Sequence, residues 1–130
     1  MSAEMLFAAE LRFADQLAVD AAWRELEREG CLGDEDNLVA DSVVRSGLVV
    51  SFRWDGSGPA SCFEVTAGVV AILARHAVEG EAVALELESR WGYRYPAGYD
   101  PHDADFDDEV EENEVDELCE KYRADDSRGS

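Results

Sequence analysis

The chain has 130 residues, 46% of them hydrophobic, and 31 acids against 11 bases for a formal net charge of −20. That length suits one domain with its own core, while the charge argues against nucleic acid and anionic membrane as direct partners and favours cations, whether metal ions or basic proteins. Three cysteines, Cys31, Cys62 and Cys119, without Cys-x-x-Cys or Cys/His spacing argue against a disulfide framework and a zinc site, and suit a reducing, cytoplasmic setting.

The N-terminal stretch has no basic leader and acquires charge by Glu10, so it reads as neither a signal peptide nor a membrane span. From Met5 to Phe13, the residues Phe7, Ala9, Leu11 and Phe13 alternate with Leu6, Ala8, Glu10 and Arg12, a strand with one plainly apolar face. Asp15 is an N-cap for a helix whose stripe is Val19, Ala22, Trp23 and Leu26, and Gly30 ends it. Leu38 to Val44 and Leu48 to Trp54 form two β-rich arms joined by Arg45-Ser46-Gly47, a hairpin signal. Asp55 to Ala60 reads as a loop.

Ser61 to Gly80 is the most apolar stretch and predicts the central helix. A capping box of Ser61 and Glu64 opens it, Gly80 closes it, and Val65, Val69, Ile72, Leu73 and His76 share one face. A long strand from Ala82 towards Tyr95 follows, with Val83, Leu85, Leu87, Trp91, Tyr93 and Tyr95 on one face and Ala84, Glu86, Glu88, Arg90 and Arg94 on the other. Pro96-Ala97-Gly98 stops it. Strand, helix, strand, strand, helix, strand over roughly residues 5–95 resembles the ferredoxin-like βαββαβ arrangement, which implies an α+β domain with an antiparallel four-stranded sheet and both helices on one face. The domain spans residues 1–98. Residues 99–130, with 14 acids and 3 bases, form an acidic extension carrying a short helix over 109–123 through Val115, Leu118, Cys119 and Tyr122.

Two features of that extension carry chemistry. Asp103, Asp105, Asp107 and Glu114 stand at positions one, three, five and twelve of a loop resembling an EF-hand, which would make them ligands for Ca²⁺; Asp108 stands where such a loop has glycine, and no helix leads into it. The same acids also read as a surface that imitates nucleic-acid phosphates. Asp103, Asp105, Asp107, Asp108, Glu109, Glu111, Glu112, Glu114, Asp116 and Glu117 would pair with lysines and arginines of a basic partner, and Trp91, Tyr93, Tyr95, Tyr99 and Phe106 would fill the apolar centre.

Other candidates are thinner. His76 has no partner evident in the sequence, His102 is alone in its acidic loop, Cys62 lacks a placed base, and Glu86, Glu88 and Arg90 would mark a small-ligand or enzyme site only if the sheet face were open. The reading is a cytoplasmic, non-enzymatic binding protein without a resident cofactor. It engages a basic protein such as a toxin, nuclease or nucleic-acid-binding protein, as an immunity protein or nucleic-acid mimic would, and its long strand leaves room for a homodimer.

Overall fold

A computed structural model describes residues 2–31, 35–39, 42–100 and 109–129, with the side chains of 2, 3 and 123–129 left aside. Its elements are β1 (Ser2–Arg12), α1 (Gln16–Arg28), β2 (Val44–Ser46), β3 (Val49–Pro59), α2 (Ala60–His76), β4 (Glu79–Glu86), β5 (Trp91–Pro96), β6 (Glu109–Val110) and α3 (Glu112–Gly129). The fold is α+β. Six strands make one antiparallel sheet in the order β2-β3-β1-β4-β5-β6.

β1 pairs with β3 from Ser2↔Pro59 to Arg12↔Val49, and on its other edge with β4 from Met5↔Glu86 to Arg12↔Glu79. Successive side chains of a strand point to opposite faces. Met5, Phe7, Ala9 and Leu11 therefore join Val50, Phe52, Ala82, Ala84 and Tyr95 beneath α1 and α2. Leu6 and Ala8 join Val83, Leu85 and Val110 on the opposite face, where Val115, Leu118 and Tyr122 of α3 close over them. The acidic extension thus contributes a packed layer, and the second face of the sheet is not open over β1, β4 and β5.

α1 follows its sequence signals closely. Asp15 accepts from the Ala18 amide at 2.9 Å, and Gly30 at φ 74° lets the Cys31 amide reach back to the Leu26 carbonyl. α2 departs from them. Because β3 runs through Asp55 to Pro59, paired with the start of β1, no loop precedes the helix; Pro59 takes the cap position without a side-chain bond, and the Ser61–Glu64 capping box does not form. The helix ends at His76, and Gly80 belongs to β4, where at φ 100° it passes against the Glu10 carbonyl too closely for any Cβ.

The buried face of α2 is Cys62, Phe63, Thr66, Ala67, Val69, Val70, Leu73 and Ala74, with Val65 and Ile72 only half-buried. This helix is apolar nearly all round, so spacing alone does not select the face.

Two strands also differ from expectation. The first hairpin arm is cut to Val44–Ser46, and Leu38 and Val39 are held in a turn instead: the Leu38 amide donates to Thr66 Oγ1, the Thr66 hydroxyl to the Asp36 carbonyl, and the Val39 amide to Asn37 Oδ1. The long strand is two, β4 and β5, reversed by a turn at Leu87–Arg90 in which Arg90 adopts φ 50°. Reversal changes the parity of the faces. Tyr93 now pairs with Ala84 and Tyr95 with Ala82, so the aromatic residues lie on the α2 side, opposite to Val83 and Leu85.

Gly92 sits in β5 where a methyl group would collide with the Ala84 carbonyl oxygen and lie 2.8 Å from Leu85 Cα, whereas Gly68 in α2 faces open space. Gly92→Ala is expected to cost about 1–3 kcal/mol. Gly68→Ala is expected to add about 0.5–1 kcal/mol. Urea unfolding of the two variants beside the parent checks both signs.

Candidate functional site

The acids of the extension are organised by α3, and α3 is positioned by what it buries. Val115, Leu118 and Tyr122, at spacings of three and four, insert onto Leu6, Ala8, Val83 and Leu85, with Cys119 half-buried at their edge. Around this apolar seam runs a polar clasp centred on Glu81 of β4. Its carboxylate accepts from Lys121 Nζ at 2.9 Å, from Arg94 Nε at 2.6 Å and from the Tyr122 hydroxyl at 3.3 Å. Burial alone would push the Glu81 carboxyl up, but the bonds from Lys121 and Arg94 outweigh it and hold it below the usual carboxylate range. On β3, Arg53 Nε donates to the Tyr122 backbone carbonyl at 3.1 Å. α3 is tied to three strands.

With that face inward, Glu111, Glu112, Asp116, Glu117 and Glu120 are exposed. Glu112, Asp116 and Glu120 succeed one another at four-residue steps, roughly 6 Å apart along the axis. Arg90 opposes the first two, its Nη1 lying 3.2 Å from Glu112 and 3.6 Å from Asp116. Among the described residues Glu111, Glu117 and Glu120 have no ion pair. Glu114 turns inward, 3.7 Å from Arg94 Nη1, and Glu109 pairs with Tyr93 at the start of β6.

The expected aromatic centre is not part of this face. Trp91 and Tyr93 are half-buried and Tyr95 is buried beneath α2, in a chain of ring contacts from Phe7 through Phe63, Trp91, Tyr93 and Tyr95 to Tyr99, with centroids 5.0–6.1 Å apart. The sheet lies between these rings and α3. Asp103, Asp105, Phe106, Asp107 and Asp108 lie outside the described residues, as does His102; of the EF-hand-like set only Glu114 is described, and it faces a guanidinium. No group of three or more metal-ligating side chains occurs among the described residues. Glu88 and Arg90 stand in the β4–β5 turn rather than on a strand face, and Glu86 accepts from Ser89 at 3.0 Å.

His76 does have a partner, one that its place in the sequence concealed. Its Nε2 lies 2.9 Å from Oε1 of Glu25 on α1, and Arg75 donates to the other oxygen of the same carboxylate. Because Arg75 already neutralises Glu25, burial and then the adjacent guanidinium dominate at the ring, and the His76 pKa lies below its ordinary value. Cys62 donates to Asp36 Oδ1 at 3.4 Å, and all three cysteines are thiols. Among the described residues no helix is long and apolar enough to cross a membrane. Comparison with protein-family models, curated proteins and solved structures found no match.

A histidine whose folded pKa is depressed leaves the unfolded state holding more protons as pH falls, so its stabilising contribution is complete above about pH 6.5 and declines below it. Unfolding free energy is expected to drop between about pH 7.5 and pH 5.5 by more in the parent than in His76→Gln. Denaturant titrations across that range isolate the difference, since His102 is common to both.

Proposed function

We propose that this protein is a cytoplasmic binding protein, not an enzyme, and that it acts by presenting the outer face of α3 to a basic protein partner. The observation that carries the reading is the row Glu112, Asp116 and Glu120, flanked by Glu111 and Glu117, on a helix whose opposite face is buried. Like charges at four-residue spacing disfavour a helix by a few tenths of a kcal/mol per pair. Docking through Val115, Leu118 and Tyr122 offsets that cost, and the carboxylates are held ready for a cationic surface. Pre-set negative charge speeds encounter with a basic groove and needs little ordering on contact, which is how an immunity protein or a nucleic-acid mimic would occlude a toxin or nuclease.

The contact would be chiefly electrostatic, because the aromatic residues lie across the sheet, and Arg90 would be displaced from Glu112 and Asp116 as the partner's cations arrive. No cofactor is needed. The sheet order supports a finer reading of the scaffold: the run β4-β1-β3-β2, antiparallel throughout, with α1 and α2 on one face, is that of a ferredoxin-like unit to which β5 and β6 are added beyond β4.

The partner is sought by affinity capture with parent protein and with Glu112→Gln/Asp116→Gln/Glu117→Gln, followed by calorimetry on the captured partner at several salt concentrations. The triple variant is expected to bind at least roughly tenfold more weakly and with a flatter salt dependence. Arg90→Gly, which frees two carboxylates and relieves a left-handed arginine, is expected to bind more tightly and to be no less stable. Unchanged affinity in the triple variant would remove α3 from the interface.

A further inference from the structure

On the face of the sheet away from α3, the chain holds a local reversal of its overall charge. α1 and α2 frame a cleft of about 320 Å³ lined by Ala21, Arg24, Glu25, Arg28 and His76. With 31 acids to 11 bases a carboxylate partner is the ordinary case: among the described residues Arg12, Arg53, Arg75, Arg90, Arg94 and Lys121 have one, Arg45 lies over the Trp23 ring instead, and helical spacing offers Arg24 both Asp20 and Glu27. Yet among the described residues neither Arg24 nor Arg28 has a carboxylate within 4.0 Å, and both side chains are exposed at the cleft. Arg28 stands three residues after Glu25, but that carboxylate, 13% exposed, is turned to Arg75 and His76. Glu25 is thus committed to Arg75 and His76, which leaves Arg24 and Arg28 without an ion pair among the described residues.

We propose that this cleft is an anion site that takes a small molecule bearing a phosphate group, gripped by Arg24 and Arg28 while Glu25 fixes Arg75 and His76 behind it. Guanidinium is the side chain best matched to tetrahedral oxyanions, since its planar fork donates two parallel bonds, and two such forks one helical turn apart can converge on a single group. The surroundings limit what enters. Asp20 and Glu27 flank Arg24 in the adjoining recess, and the chain as a whole is strongly acidic, so a nucleic-acid strand or an anionic membrane is repelled where one phosphate is admitted. At physiological salt the remoter carboxylates are screened beyond roughly 8 Å, so the two unpaired arginines dominate within the cleft. This site is independent of the α3 reading, for the sheet lies between them.

The test is an NMR titration of the whole chain with inorganic phosphate at fixed pH and constant ionic strength, following the His76 ring and the arginine Nε–H resonances. A saturable shift at His76, Arg24 and Arg28 is expected. Arg24→Gln/Arg28→Gln should weaken it by roughly tenfold or more, while Arg12→Gln, at an exposed pair with Glu79, should leave it unchanged. Phosphoserine in place of phosphate separates the sources: tighter binding points to a phosphate monoester, equal binding to free phosphate. Linear, unsaturating shifts, shifts reproduced by chloride, or equal affinity in the double variant would overturn the proposal. Both arginines are exposed, so loss of the fold does not confuse the result, and the parent dispersion of the variant spectrum verifies it.

Discussion

Everything in this structure depends on β1 being buried on both faces. Met5, Leu6 and Phe7 are wholly inaccessible and Ala8 nearly so, in a strand hydrogen-bonded along both edges. A strand in that position cannot alternate apolar with polar, and Met5-Leu6-Phe7-Ala8-Ala9 is an unbroken apolar run of the kind that belongs between two layers. One layer, α1 with α2, takes the odd-numbered residues. The other must take Leu6 and Ala8, and α3 supplies it. The helix that carries much of the acid is therefore also the helix that the centre of the sheet requires.

That double duty explains where the charges sit. The inner side of α3 carries valine, leucine and tyrosine, and its margins are tethered by Glu81, Arg94, Lys121 and Arg53, so repulsion among the carboxylates is confined to the outer arc. Isolated exposed pairs such as Arg90 with Glu112 contribute little to stability. Burial of the apolar seam does the holding, and the carboxylates of the outer arc stay exposed. On the far side of the sheet the arginines of α1 stand in a different field, separated from α3 by a layer of strands.

Much of the scaffold was legible in the sequence. Asp15 and Gly30 bounded α1 correctly, the Arg45-Ser46-Gly47 signal marked a hairpin, and Val115, Leu118, Cys119 and Tyr122 gave the inward face of α3. What misled was parity and context. The run from Ala82 to Tyr95 alternates well enough to pass for one strand, and only Ser89, Arg90 and Gly92 hinted at the turn that carries the aromatic rings to the other face from Val83 and Leu85. Leu6 and Ala8 already signalled a second covered face, as did Val83 and Leu85 beside Ala82 and Ala84, but a period-of-two reading assigns such residues to solvent. The Glu25, Arg75 and His76 cluster joins residues some fifty positions apart, and no local pattern announces a pairing of that kind.

The placing of α3 last among the elements bears on how the molecule is made. Synthesis proceeds from the N-terminus at about 5–20 residues per second, so β1 and β4 can pair while the helix that covers Leu6, Ala8, Val83 and Leu85 is still to be made. For a few seconds the nascent sheet carries a bare greasy face, the condition in which young chains stick to one another or call for a chaperone. The first residues to follow β5 are dense in aspartate and glutamate. Once released, they give the chain a negative charge that opposes such association between copies.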